Sequence, residues 1–98
     1  MSAAICYNPH MFRLWGKLYK DHKIIADLTV QDPSGDTRTH KVFSAVSQIC
    51  LQFDLSQPIW LDSNISEFRK RSRTRFTQDS FIDEIDLDYL EIQIIEED

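Results

Sequence analysis

The sequence predicts a small α+β fold. An antiparallel sheet, formed by a hairpin or three-strand meander plus a C-terminal strand, is covered by one amphipathic helix, and a second, short helix is basic. Two runs near the start alternate apolar and polar residues and lie two residues apart, as in a β-hairpin. A central run repeats apolar residues at spacings of three and four, as in a helix lying on a sheet. With 98 residues, 42% of them hydrophobic, the chain suits a single domain over residues 1–98.

The hairpin is predicted over residues 11–20 and 23–32. In the first strand the even positions are mostly apolar, whereas the odd positions place Trp15 and Tyr19 beside basic residues. The second strand alternates more cleanly. Because only two residues separate the runs, we expect the strands to pair antiparallel.

A turn and a helix follow the hairpin. The turn is predicted at residues 32–36, which contain one proline and one glycine, and the glycine is free to take a positive φ. Residues 37–41 are interpreted as a short third strand. An amphipathic helix is predicted over residues 41–53, with Thr37 or Thr39 as its cap. Its apolar stripe consists of Val42, Val46, Ile49, Cys50 and Phe53.

The second half of the chain is predicted to begin with an extended connector held on the core by Trp60. Asn64 stands three residues before a glutamate, a spacing typical of a capped helix start. The short basic helix that follows is expected to point Ile65 and Phe68 inward. Residues 89–95 are dense in β-forming side chains, which predicts a strand in the sheet interior with apolar contacts on both faces.

The charges are strongly segregated along the chain. All eleven Lys and Arg residues lie in residues 1–76, whereas residues 77–98 hold nine acidic residues and no basic one, within a net charge of −5. Five of the bases stand within seven residues, directly before the acidic segment. One hypothesis is a site for phosphate or nucleic acid, formed by Arg69, Arg71, Arg73 and Arg75. The alternative is that these bases pair internally with Asp79, Asp83, Glu84, Asp86 and Asp88.

The aromatic side chains of the first strand allow two interpretations. Trp15 and Tyr19 are expected on one strand face, where they form an exposed patch that another protein or a second copy of the chain covers. Alternatively, they form a second core layer beneath the basic helix. A domain of this size buries only ~60–65% of the surface that its unfolded chain exposes. Self-association into a homodimer is therefore expected to add burial.

Few residues support catalysis. The three histidines form no zinc-binding pattern, and the two glycines build neither a nucleophile elbow nor a phosphate-binding loop. Asp86 and Asp88 on one strand face are a weak metal candidate without an EF-hand loop. Cys50 is expected to be a buried apolar residue, and His40 is placed near Asp36 or Cys50. No cofactor is predicted, and the protein is expected not to be an enzyme.

The N-terminal segment has no signal-peptide core, no run approaches the ~20 apolar residues of a membrane span, and two cysteines are too few for a disulfide scaffold. A cytoplasmic protein is therefore predicted. The segment RTRF and the closing SFIDEIDLDYLEIQIIEED resemble short uncharacterised proteins of Gram-positive bacteria, a resemblance that implies no site residue. The leading interpretation is a non-enzymatic interaction module, and the alternative is a nucleic-acid or phosphate-ligand binder.

Overall fold

The computed structural model describes residues 11–97 and confirms the α+β prediction. Two helices and a four-stranded sheet make up the fold of these residues. Of the two cysteines and three histidines considered above, Cys6 and His10 lie outside the described range. In chain order the elements are β1 (Phe12–Lys20), β2 (Lys23–Asp32), α1 (Arg38–Gln52), α2 (Asp62–Arg71), β3 (Arg73–Phe76), a single 3-10 turn (Gln78–Ser80) and β4 (Tyr89–Glu96).

The sheet has the strand order β2-β1-β4-β3, and every neighbouring pair is antiparallel. The predicted hairpin of β1 and β2 is confirmed. Its turn residues Asp21 and His22 both have positive φ angles, 54° and 67°, as a two-residue hairpin turn requires. The final strand β4 lies between β1 and β3, so its predicted place in the sheet interior is also confirmed.

Both helices lie on the same side of the sheet. Ile49 of α1 packs against Gly16 of β1, and Asn64 of α2 donates a hydrogen bond to the Thr74 hydroxyl of β3 at 2.9 Å. Gly16 and Thr74 each lie opposite Ile92 of β4 in the strand register and therefore share a face. The core between sheet and helices includes Phe12, Leu14, Leu18, Val42, Val46, Ile49, Cys50, Phe68, Phe76, Leu90 and Ile92.

The third strand is not where the sequence predicts it. Residues 38–41 are instead the first turn of α1, and the Thr37 hydroxyl caps the helix by accepting the His40 N–H at 3.3 Å. The proposed cap is therefore confirmed, and the helix begins three residues earlier than predicted. The strand β3 instead forms from the end of the basic run, so the segment predicted as one basic helix is half helix and half strand.

The connector from β2 to α1 also differs from its prediction. The Asp32 carboxylate accepts the Ser34 N–H at 2.9 Å, and hydrogen bonds from the Ser34 side chain and backbone lower the pKa of Asp32. No glycine among the described residues has a positive φ. Gly35 therefore does not use its freedom to take a positive φ, since side-chain hydrogen bonds shape this connector.

In α2 the predicted roles of two residues change. Leu61, not Asn64, is the residue that precedes the helix. Asn64 lies within the first turn, and its side-chain oxygen accepts the Leu61 N–H at 3.0 Å. Ile65 is 41% exposed, so its predicted inward position is wrong, whereas Phe68 is buried as predicted. The helix ends at Ser72, whose φ of 56° turns the chain directly into β3.

Candidate interaction surface

The sheet face opposite the two helices, here called the open face, carries polar and aromatic side chains. Neither helix of residues 11–97 lies on it. The prediction that β4 makes apolar contacts on both faces holds on this side only for the Tyr89 ring, which stacks on Tyr19, because Glu91 and Gln93 are the neighbouring side chains of the strand on this face. Strand register places the following residues on the open face: Trp15, Lys17 and Tyr19 of β1, Tyr89, Glu91 and Gln93 of β4, Arg73 and Arg75 of β3, and Asp27 and Thr29 of β2.

Four charged residues of alternating sign form a line across the middle of the open face. In strand order they are Asp27, Lys17, Glu91 and Arg75, each directly opposite its neighbour. We call this line the charged row. Its central pair is buried: Lys17 Nζ lies 3.0 Å from Glu91 Oε1, and the two side chains are 8% and 6% exposed. Arg75 Nε lies 3.4 Å from the other Glu91 oxygen, so this carboxylate serves two cations.

Three aromatic rings surround the charged row. The ammonium of Lys17 lies 4.0 Å from the ring centroid of Trp15, a cation–π contact. The rings of Tyr19 and Tyr89 stack with centroids 4.7 Å apart, and Arg75 Cζ lies 4.7 Å from the Tyr89 centroid. All three rings are half-buried. Their positions are therefore set by contacts within the chain.

The sequence-predicted pair of Trp15 and Tyr19 lies together on the open face. The Trp15 Nε1–H also donates to an Asp27 carboxylate oxygen at 2.8 Å, which fixes the indole. The basic helix packs on the other side of the sheet, so the two rings form no core layer beneath it. Sequence reasoning missed Tyr89 and the buried pair, because both depend on which strands become neighbours.

The four arginines proposed as an anion site do not converge. Arg71, Arg73 and Arg75 line one polar cavity of about 200 Å³ at the sheet edge, together with Glu67 and Glu91. Arg69 points into a different cavity between the helices. Arg69 and Arg71 stand two positions apart in α2 and therefore project from different sides of the helix.

Pairing of the basic run with the acidic segment is limited within residues 11–97. Of the five bases only Arg75 makes an ion pair there, and its partner is Glu91. Asp86 instead pairs with Lys20 at 3.0 Å, and Asp88 accepts the His22 N–H. The predicted closure of the cluster onto Asp79, Asp83, Glu84, Asp86 and Asp88 is therefore wrong.

A second, apolar cavity of about 310 Å³ lies between α1 and α2. Its apolar lining includes Phe43, Trp60 and Phe68, and its charged lining residues are Arg38 and Arg69. Trp60 packs against the core, which confirms its predicted role as the anchor of the connector. The sequence did not indicate this cavity, because Ile65 was expected to point inward.

The titratable side chains of the α1 N-terminus contact one another. His40 Nδ1 lies 3.1 Å from an Asp36 oxygen. Of the two predicted neighbours of His40, Asp36 and Cys50, the first is therefore confirmed. The pKa of Asp36 is lowered mainly by the hydrogen bond from the Thr37 N–H and further by that from His40. Within residues 11–97 no group of three or more His, Cys, Asp or Glu side chains is arranged to hold a metal ion. Asp86 and Asp88 precede β4 rather than lying on it.

Cys50 gives a first testable prediction. It is fully buried, and burial raises the pKa of its thiol from 9.0 to about 11. In a Cys6→Ser variant, the native thiol is expected to react with an aromatic disulfide reagent at pH 8 at least about 100-fold more slowly than after unfolding in urea, because both the thiolate fraction and access fall. Equal rates before and after unfolding would contradict the buried position of Cys50.

Comparison of the chain with protein-family models, curated proteins and solved structures gave no match. No helix within residues 11–97 has both the length and the apolar character of a membrane span. Residues 11–97 form a small α+β domain with one open sheet face, and the function is inferred from that surface.

Proposed function

We propose that this domain is a cytoplasmic, non-enzymatic protein-interaction module whose binding surface is the open face. The observation that carries the proposal is the set of half-buried rings of Trp15, Tyr19 and Tyr89 fixed around a buried ion pair. Tryptophan, tyrosine and arginine are the residues most often found at energetically important positions of protein interfaces. Rings that are already held in place lose little conformational entropy when a partner covers them.

The contacts of the rings favour a protein partner over single-stranded nucleic acid. Nucleic-acid platforms stack bases on free aromatic faces. Here Tyr19 and Tyr89 stack on each other, Arg75 lies over Tyr89, and Lys17 lies over Trp15. The carboxylates of Asp27 and Glu91 on the same surface would also repel a phosphate backbone.

The partner that the charged row fits is a second copy of this chain. The row reads negative, positive, negative, positive across β2, β1, β4 and β3. A two-fold axis parallel to the strands, passing between β1 and β4, reverses the order of this row in the facing copy. Asp27 then faces Arg75 of the second copy, and Lys17 faces its Glu91. An axis perpendicular to the strands would place like charges against each other, so charge complementarity favours the first arrangement.

A charge-swap experiment tests this partner. Asp27→Lys is expected to weaken the dimer by at least about tenfold, because the symmetric interface contains the affected contact twice. Arg75→Glu is expected to weaken it similarly. The double variant D27K/R75E restores opposite charges between copies and is expected to recover most of the association, measured by sedimentation equilibrium.

Recovery of association in the double variant D27K/R75E would report a contact between two copies of the chain. Asp27 and Arg75 lie three strand spacings apart, about 14 Å within one chain, so they cannot restore each other directly. Lys70→Gln, which changes a charge of α2 outside the row, serves as the control and should leave the dimer unchanged. A wild-type protein that stays monomeric at every concentration, or a double variant no more dimeric than either single one, would contradict the second copy as partner.

A second candidate function has its own observation. The three guanidinium-bearing residues Arg71, Arg73 and Arg75 line a single polar cavity, and guanidinium groups bind phosphate oxygens in pairs. We propose a weak phosphate or nucleic-acid contact at this edge. Glu67 and Glu91 in the same lining oppose it, which is why it ranks second.

The anion candidate is tested by titrating a single-stranded oligonucleotide, and separately inorganic phosphate, at low salt. Binding is expected to weaken severalfold in R71Q/R73Q and to remain in Lys70→Gln, because Lys70 does not line the cavity. Equal losses in both variants would indicate a general charge effect and contradict the site. Binding of the oligonucleotide but not of phosphate would assign nucleic acid as the ligand.

A further inference from the structure

We infer that the apolar cavity between α1 and α2 is a binding site for a small aromatic carboxylate. The cavity lies on the helix side of the sheet, so it is independent of the open face. Its volume of about 310 Å³ is at the lower end of the range for small-molecule sites. The ligand is therefore expected to be a single ring with a short acidic side chain.

The apolar part of the cavity is rigid and accessible. The Trp60 ring meets Phe43 and Phe68 edge to face, with centroids 5.7 Å and 5.4 Å apart, and Phe76 supports it at 5.0 Å. At the same time Phe43 and Ile65 are 50% and 41% exposed. An aromatic ligand can therefore pack against fixed rings and cover exposed apolar surface.

The charges of the cavity select an anion. Among the residues that line it, the charged ones are Arg38 and Arg69. Arg38 is held in place by a hydrogen bond to the Ser72 hydroxyl at 3.1 Å and lies over the Phe68 ring, 5.4 Å from its centroid. Arg69 makes no ion pair within residues 11–97. An apolar pocket with guanidinium groups beside it complements an apolar body that ends in an anionic head.

The chain itself indicates that the head is a carboxylate. Glu97 places a carboxylate oxygen 2.8 Å from Arg38 Nε, so one of the two arginines already binds this group. A ligand carboxylate is expected to use Arg69 and to compete with Glu97 for Arg38. Glu97→Gln should therefore tighten binding a fewfold.

The site is tested with 3-phenylpropanoate on the full chain, followed by NMR of the two indole N–H resonances. The Trp60 resonance is expected to shift saturably, whereas that of Trp15 on the open face should stay in place. Binding should weaken about tenfold in Arg69→Gln and remain unchanged in the neighbouring control Lys70→Gln. The neutral amide, 3-phenylpropanamide, should bind at least about tenfold more weakly than the acid.

Three outcomes would overturn the inference. They are the absence of a saturable shift at millimolar ligand, equal affinity for the acid and the amide, and equal losses in Arg69→Gln and Lys70→Gln. The charge-swap variants of the open face should leave this binding unchanged. Failure of the dimer and failure of the ligand site are thus separate results.

Discussion

Replacement of Gly16 by alanine is expected to destabilise the protein by about 1–3 kcal/mol. A Cβ atom at this position would stand 2.7 Å from Ile49 Cδ1 and 3.0 Å from Ile49 Cγ2. Ile49 is fully buried, so it can yield only by repacking its neighbours or by moving α1 away from β1. The gain from replacing glycine in a strand, about 0.5–1 kcal/mol, offsets only part of this cost. Urea unfolding at one fixed protein concentration measures the difference.

A double-mutant cycle assigns the effect to this contact. Ile49→Val removes the methyl group closest to the new Cβ and is expected to cost about 0.5–1.5 kcal/mol in the wild-type background. In the Gly16→Ala background the same change should cost less or become stabilising, because it relieves the overlap. Additive effects of the two substitutions would show that the glycine serves another purpose than the close approach of α1 to the sheet.

The elements that the sequence predicts well are those whose pattern is local. The hairpin follows from two alternating runs separated by Asp21 and His22, and α1 follows from apolar spacings of three and four. The helix–strand boundary at Ser72 could not be predicted in this way. Five of the seven residues from Arg69 to Arg75 are basic, and the local pattern shows no boundary. The strand exists because Thr74 and Phe76 occupy core positions beside β4.

The residues of the open face likewise fall into those that a local pattern predicts and those that depend on which strands become neighbours. Alternation within β1 is enough to place Trp15 and Tyr19 on one face. The charged row, in contrast, requires the register of Lys17 against Glu91, residues separated by most of the chain. Charge counting alone suggested that the basic cluster pairs with the acidic segment, but the tightest burial of opposite charges lies elsewhere, at the centre of the sheet.

Glu91→Gln is expected to cost about 3 kcal/mol of folding stability. The substitution leaves the Lys17 ammonium, in a side chain only 8% exposed, without a carboxylate partner among the described residues. Removing one member of a buried ion pair typically costs about 3–5 kcal/mol, because the remaining charge stays desolvated. The lower end is expected here, since the ammonium keeps its contact with the Trp15 ring. Urea unfolding again measures the loss.

The matched control is the double variant K17M/E91Q, which removes both charges while it keeps the length of the Glu91 side chain and the apolar stem of Lys17. Because methionine fills the space of the lysine stem and glutamine still offers Arg75 an oxygen, the double variant is expected to recover most of the stability that Glu91→Gln loses. Lys17→Met alone should cost less than Glu91→Gln, since Arg75 continues to pair with Glu91. A double variant as unstable as the sum of the single ones would mean that the two charges contribute independently, and the charged row would then not act as one unit.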